Sequence, residues 1–184
     1  MPTTTARAEA ELSLSLLMCL AREIPHLSEV TKTGVWMRTV FHELPGRTLG
    51  LIGFGPAARE LAGMLGGFGL RCLAWDENPD KAAAERLGVR LAPLDEVVRQ
   101  SHYLSIHIPH AGKKILDAAK IDAMREGAFI VNVSAEALVD EAGIERALAG
   151  GRLAGYGACL SAPKPEHPLN KYDSFICAPA LRHE

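Results

Sequence analysis

The chain alternates short apolar runs with segments in which apolar residues recur every three or four positions, and this alternation predicts most of its elements. From Thr5 to Glu23 the residues Leu12, Leu16, Leu17 and Leu20 keep a helical period, so the spacing predicts a long first helix stopped by Ile24-Pro25. His26 to Pro45 holds Gly34, Trp36 and Phe41 among polar residues without a strong period, and reads as an irregular arm. At Arg47 the pattern changes. TLGLIGFG is a nearly unbroken apolar run ending in glycines, as in a strand buried on both faces, and PAARELAGMLGGFG follows as a helix closed by Gly66-Gly67. Further strands are predicted over Leu70 to Trp75, Val89 to Leu91, Tyr103 to Ile108, Ala128 to Val133, Gly155 to Leu160 and Ser174 to Cys177. Helices fall between them at Lys81 to Leu87, Leu94 to Gln100, Ile115 to Met124 and Glu141 to Ala149. Each crossover must carry the chain back along the sheet, so the expected class is α/β, a doubly wound parallel sheet in three α/β/α layers. Residues 1–46 supply its N-terminal helix and arm, and residues 47–184 its body.

Composition narrows the class without changing it. With 184 residues, 48% hydrophobic and 23% charged, the chain reads as one soluble domain with a core of its own. Twenty Lys+Arg against 22 Asp+Glu give a net charge of -2 with no run of one sign, which suggests neither a nucleic-acid nor an anionic-membrane partner. The longest apolar stretch, Leu12 to Ala21, is about half of the ~20 residues that a membrane span requires. Glu9 and Glu11 precede it and no small-residue cleavage site follows, so the expectation is a cytoplasmic protein. Cys19, Cys72, Cys159 and Cys177 lie far apart without a C-x-x-C spacing, so they read as buried thiols and no metal is expected.

The candidate chemistry sits at the first strand-to-helix turn. Gly53-Phe-Gly55-Pro56-Ala57-Ala58 is G-x-G-x-x-A, with Gly53 for the tight turn, Gly55 for close approach of backbone to a pyrophosphate and Ala58 for close helix packing. The phosphates would meet free N–H groups and the positive end of the helix dipole. About twenty residues on, the second strand ends at Trp75-Asp76, where a carboxylate can bind the adenosine ribose hydroxyls. Asp76 would repel a 2′-phosphate, so NAD is favoured over NADP, with Glu77 or Asp80 able to share its role. This is a Rossmann-type arrangement.

The blocks ELSLSLLMCLAREIP, GVWMR, ELPGRTLGLIGFG, LAWDENPD, SIHIPH, MREGAFIVNVS, ALVDEAGIERALAGGRLAGYG and the tail HPL with ICAP together resemble the nucleotide-binding domain of the D-isomer-specific 2-hydroxyacid dehydrogenases. The resemblance spans nearly every residue. It implies cofactor contacts at the carboxyl ends of later strands, at Ile108, Pro109, Val133, Ser134 and Cys159. It also implies a homodimer built on the first helix and the Trp36 arm. Such proteins carry a separate substrate domain, and a second protein that supplies one is a partner that the resemblance leaves open. Their catalytic positions depart from the pattern one by one. The substrate-binding arginine of N-x-x-R is Ala135, in Asn132-Val-Ser-Ala135; the glutamate of G-x-D-V-F-E is Ala162; the histidine of T-P-H is Ala180. Cys159 stands where the resemblance places an aspartate beside the nicotinamide.

No catalytic residue is therefore carried over, and the expected function is NAD(H) binding without the hydride transfer of the resembled enzymes. An oxidoreductase whose acid/base comes from His110, Cys159 or another chain is one alternative, and a dimeric scaffold that binds no nucleotide is another. Lesser candidates have plainer readings. His107 reads as structural packing, Lys113 and Lys114 as solvated, a Cys159 or Cys177 pairing with His167 or His183 as unsupported by spacing, and Arg182-His183-Glu184 as a frayed tail.

Overall fold

The computed structural model describes residues 4–39, 41, 43–109, 112–162 and 164–180, so His110, Pro163 and the tail from 181, His183 included, lie outside the described residues. Among the described residues seven strands form one parallel sheet: β1 (Thr48–Ile52), β2 (Arg71–Trp75), β3 (Arg90–Leu91), β4 (Tyr103–Ile106), β5 (Ala128–Asn132), β6 (Leu153–Leu160) and β7 (Phe175–Pro179). Their order, β3-β2-β1-β4-β5-β6-β7, reverses direction between β1 and β4, which opens a crevice at the carboxyl ends of those two strands.

The apolar runs explain both faces of the sheet. Along β1, Leu49 and Leu51 enter one core while Ile52 enters the other; along β5, Phe129 and Val131 oppose Ala128 and Ile130 in the same way. The first core is closed by α1 (Thr4–Ala21), α3 (Pro56–Leu65) and α4 (Lys81–Arg86), and the second by α5 (Leu94–Gln100), α6 (Ala118–Ala123) and α7 (Glu141–Ala149). Asp80, Asp117 and Asp140 cap α4, α6 and α7 by accepting backbone N–H bonds from Ala83, Lys120 and Gly143. Leu16, Leu17 and Leu20 of α1 are buried, each worth about 1.5–3 kcal/mol of transfer free energy. Gly157 of β6 permits this seat, because a Cβ there would stand 3.2 Å from Leu20 and 3.3 Å from Leu16.

The first segment of the arm corrects the sequence reading. Ile24 to Lys32 is a helix, α2, and Pro25 sits in its first turn rather than ending a helix. The turn between α1 and α2 is made by Glu23, the one described non-glycine residue with positive φ, at 51°. Predicted bounds shift by a few residues elsewhere, as where Ile115 to Met124 contracts to Ala118–Ala123 because Asp117 caps the helix late. No described helix is long and apolar enough to cross a membrane.

Candidate nucleotide crevice

The turn after β1 is held from three sides. Gly53 has φ 91°, and a Cβ on it would stand 2.5 Å from the carbonyl oxygen of His107, so both the conformation and the approach of the β4 loop require glycine. Asp76, at the end of β2, accepts the Phe54 N–H at 2.7 Å through Oδ2 and the Asn78 N–H at 2.8 Å through Oδ1. Arg59 of α3 donates from Nε to the Phe54 carbonyl at 2.9 Å and meets Asp80 at 3.0 Å through Nη1. Gly55, the N-cap of α3, carries no side-chain cap, and a Cβ there would meet nothing within 4 Å. The helix N-terminus thus faces open space with uncapped N–H groups, which is the cradle that a pyrophosphate requires. Asp76 keeps lone pairs on both oxygens for ribose hydroxyls, since each accepts a single bond within the protein.

From this turn a cleft of about 370 Å³ runs across the carboxyl ends of β4 and β5. Gly55, Pro56, Ala57, Ile108, Pro109, Val133 and Ser134, all expected at the cofactor, line it together with Ala135. Ser134 is fixed by its N–H to Asn132 Oδ1 at 3.0 Å and by its hydroxyl to the Ile106 carbonyl at 3.1 Å. Gly53, in the turn, and Asp76, which holds the turn, are not among the lining residues, and Ala58 is a fully buried residue of α3. Cys159 is absent from the lining. It is buried in the core under α1, and burial, aided by the charge of Glu9, pushes its thiol up to about 11. It is unfit as a nucleophile near neutral pH.

Three lining residues were not anticipated. Thr5, Ala6 and Glu9 reach the cleft because α1 crosses β5 and β6, a packing relation that no local spacing announces. His107 also lines it. Its Nε2 lies 2.8 Å from Ser105 Oγ, its Nδ1 is shut off from solvent with no protein partner, and burial lowers its pKa to about 4. An orphaned imidazole nitrogen beside an uncapped phosphate turn fits a cleft that takes a polar ligand.

The three alanines gather at the other end of the same edge. Ala135 follows β5, Ala162 follows β6, and the Ala180 N–H donates to the Leu160 carbonyl at 2.9 Å beside the end of β6. None offers a side-chain donor or acceptor. Next to them Glu136 accepts the Ser161 N–H and hydroxyl, each at 2.9 Å, and pairs with Lys164. Burial works to raise the Glu136 pKa and is outweighed by Lys164 and Ser161, which hold it at about 2. Lys114 is committed to Asp140 at 2.7 Å, while Lys113 is exposed. His167 is engaged with Leu169 N–H and Glu141 and stacks on Phe175 at 5.3 Å, and Cys177 is exposed on the outer strand. Among the described residues no cluster of three or more His, Cys, Asp or Glu could hold a metal.

Comparison with known proteins agrees with this geometry. Residues 14–181 match the family described as D-isomer specific 2-hydroxyacid dehydrogenase, NAD binding domain. The D-3-phosphoglycerate dehydrogenase of Archaeoglobus fulgidus is 31% identical over 181 residues, covering 94% of this chain and 34% of that protein. The human D-3-phosphoglycerate dehydrogenase is 30% identical over 186 residues, covering 98% of this chain and 35% of that protein. This chain therefore spans about a third of the length of these relatives. Among solved structures, a glyoxylate reductase from Paecilomyes thermophila superposes with a TM-score of 0.89 at 25% identity, over 98% of this chain and 56% of that one. A sheet that reverses at β1 and β4, a glycine turn braced by Asp76 and a match over nearly the whole chain lead to one conclusion: the chain belongs to the NAD-binding domain family of the D-isomer specific 2-hydroxyacid dehydrogenases.

Proposed function

We propose that this chain binds NAD(H) in the crevice between the β1 turn and the β5 loop, and that its own residues do not carry out the hydride transfer of its relatives. The observation that carries the first half is the uncapped α3 N-terminus behind Gly55, with Asp76 poised at the end of β2. NAD, when bound, supplies a hydride acceptor or donor at its nicotinamide ring. The protein must supply the rest. Reducing a 2-oxo acid calls for a proton at the developing alkoxide and a cation on the carboxylate, and general acid help alone is worth roughly 10²–10⁴ in rate. Ala135, Ala162 and Ala180 provide neither. His107 does not replace them, because with a pKa of about 4 it holds no imidazolium near pH 7. Lys164 does not replace the lost arginine either, since Glu136 already neutralises it.

Calorimetric titration tests the reading. Saturable NADH binding is expected, weaker for NADPH, and lowered about tenfold or more in Asp76→Ala. Reduction of pyruvate, glyoxylate or hydroxypyruvate by NADH is expected to stay at the uncatalysed rate. Turnover above it would overturn the second half of the reading, and no binding of either nucleotide at millimolar concentration would overturn the first.

The same reading includes a homodimer through α1 and the arm. Val35, Trp36 and Met37 are 51%, 82% and 48% exposed, an apolar run of the kind that interfaces bury. Sedimentation is expected to show a dimer that Trp36→Ala weakens; a monomer at all concentrations would remove this part.

A further inference from the structure

We propose that Glu9 sets the redox preference of the crevice, holding the oxidised, cationic nicotinamide more tightly than the neutral reduced ring. The inference rests on the reading that the crevice holds NAD.

The topology decides which end of the ligand meets Glu9. Asp76 marks the adenosine side, over β2, and the α3 N-terminus marks the pyrophosphate, so the remaining half extends over β4 to β6. That is the side on which α1 lies. Glu9 lines the cleft there beside Val133 and Ser134, and its charge is felt at Cys159 near the end of β6. Glu9 is the only formally charged side chain among the described residues of the lining, since His107 is neutral above about pH 4. No cation or hydrogen-bond donor among the described residues engages its carboxylate; the Ser13 hydroxyl donates at 2.8 Å to its backbone carbonyl, not to its side chain. A carboxylate in a ligand cleft that no protein cation engages is free to pair with a cationic ligand group.

NAD+ and NADH share the adenosine, both riboses and the pyrophosphate. They differ at the ring by one unit of charge. Groups such as Asp76 and the α3 N-terminus therefore act on both forms alike and cannot separate them, because a ligand preference requires a differential interaction. A carboxylate facing the ring supplies one. A single opposite charge at contact distance is worth about a fivefold change in affinity even under strong screening, and more in a cleft.

The experiment is a titration of wild type and Glu9→Gln with NAD+, NADH and ADP-ribose, which lacks only the nicotinamide. The ratio of the NADH dissociation constant to that of NAD+ is expected to fall by about fivefold or more in the variant. ADP-ribose affinity is expected to stay the same. An unchanged ratio, with ADP-ribose still bound, would overturn the role of Glu9 and leave the NAD reading intact. Failure of ADP-ribose to bind wild type would overturn the NAD reading and the inference with it. A second measurement needs no variant: in wild type, rising salt is expected to narrow the ratio, because screening weakens the one interaction that differs between the two forms. A salt-independent ratio would count against Glu9 even if Glu9→Gln failed to fold.

Discussion

Between β1 and β2 a bound nucleotide would meet mostly backbone, whereas between β5 and β7 its contacts would have to come from side chains. Gly53 is dictated by its φ and by the nearby His107 carbonyl, and Asp76 holds two backbone N–H groups that define the turn. The fold and the phosphate cradle are one object there. At the ends of β5, β6 and β7 stand Ala135, Ala162 and Ala180, the last two exposed and none of them with a left-handed backbone. A site written in backbone geometry persists for as long as the fold does, while a site written in side chains can lapse without structural cost.

Substitutions at the two ends test this contrast directly. Gly53→Ala carries the largest expected effect, a loss of about 3 kcal/mol or more in urea unfolding together with nucleotide binding, because the new Cβ strikes a backbone oxygen in a left-handed conformation. Next comes Asp76→Ala, which leaves the Phe54 and Asn78 N–H groups without their acceptor; about 1–2 kcal/mol is expected by the same measurement. At the opposite end Glu136→Gln is expected to cost about 1 kcal/mol at pH 7. The pH dependence sharpens that test. Glu136 is held at about 2 in the fold against an ordinary value of 4.5, so its stabilisation is complete above about pH 4.5 and is lost as the pH falls toward 2. The gap between wild type and Glu136→Gln, followed by circular dichroism, is expected to close over that range. Smallest of all, Ala162→Glu and Ala180→His are expected to change stability by less than about 0.5 kcal/mol. A large loss at either alanine would erase the distinction between the two ends.

What could be read from the sequence follows the same division. Strands such as Thr48–Ile52 and Ala128–Asn132 announce themselves because both faces are covered and no polar residue interrupts them until their ends. The glycine turn and Asp76 were legible because their spacing is local to one strand-turn-helix unit. The α2 helix was hidden by Pro25, which starts a helix as readily as it stops one, and only Leu27 and Val30 hint at a helical period. Glu9 and the Glu136–Lys164 pair had no local signal at all. The first reaches the cleft through the packing of α1 across β5 and β6, and the second joins residues 28 apart in sequence. The resemblance implies Cys159 at the cofactor, whereas the side-chain alternation of β6 turns it into the core under α1.

The two margins of the sheet bear on how copies of this protein behave when crowded. At one margin β3 is only two residues long, and at the other β7 ends on Pro179, which has no N–H to offer a neighbouring strand. Short or proline-terminated margins are poor templates for strand addition. Concentrated solutions are therefore protected from growth by edge-to-edge pairing, and the sheet resists becoming the seed of a fibril.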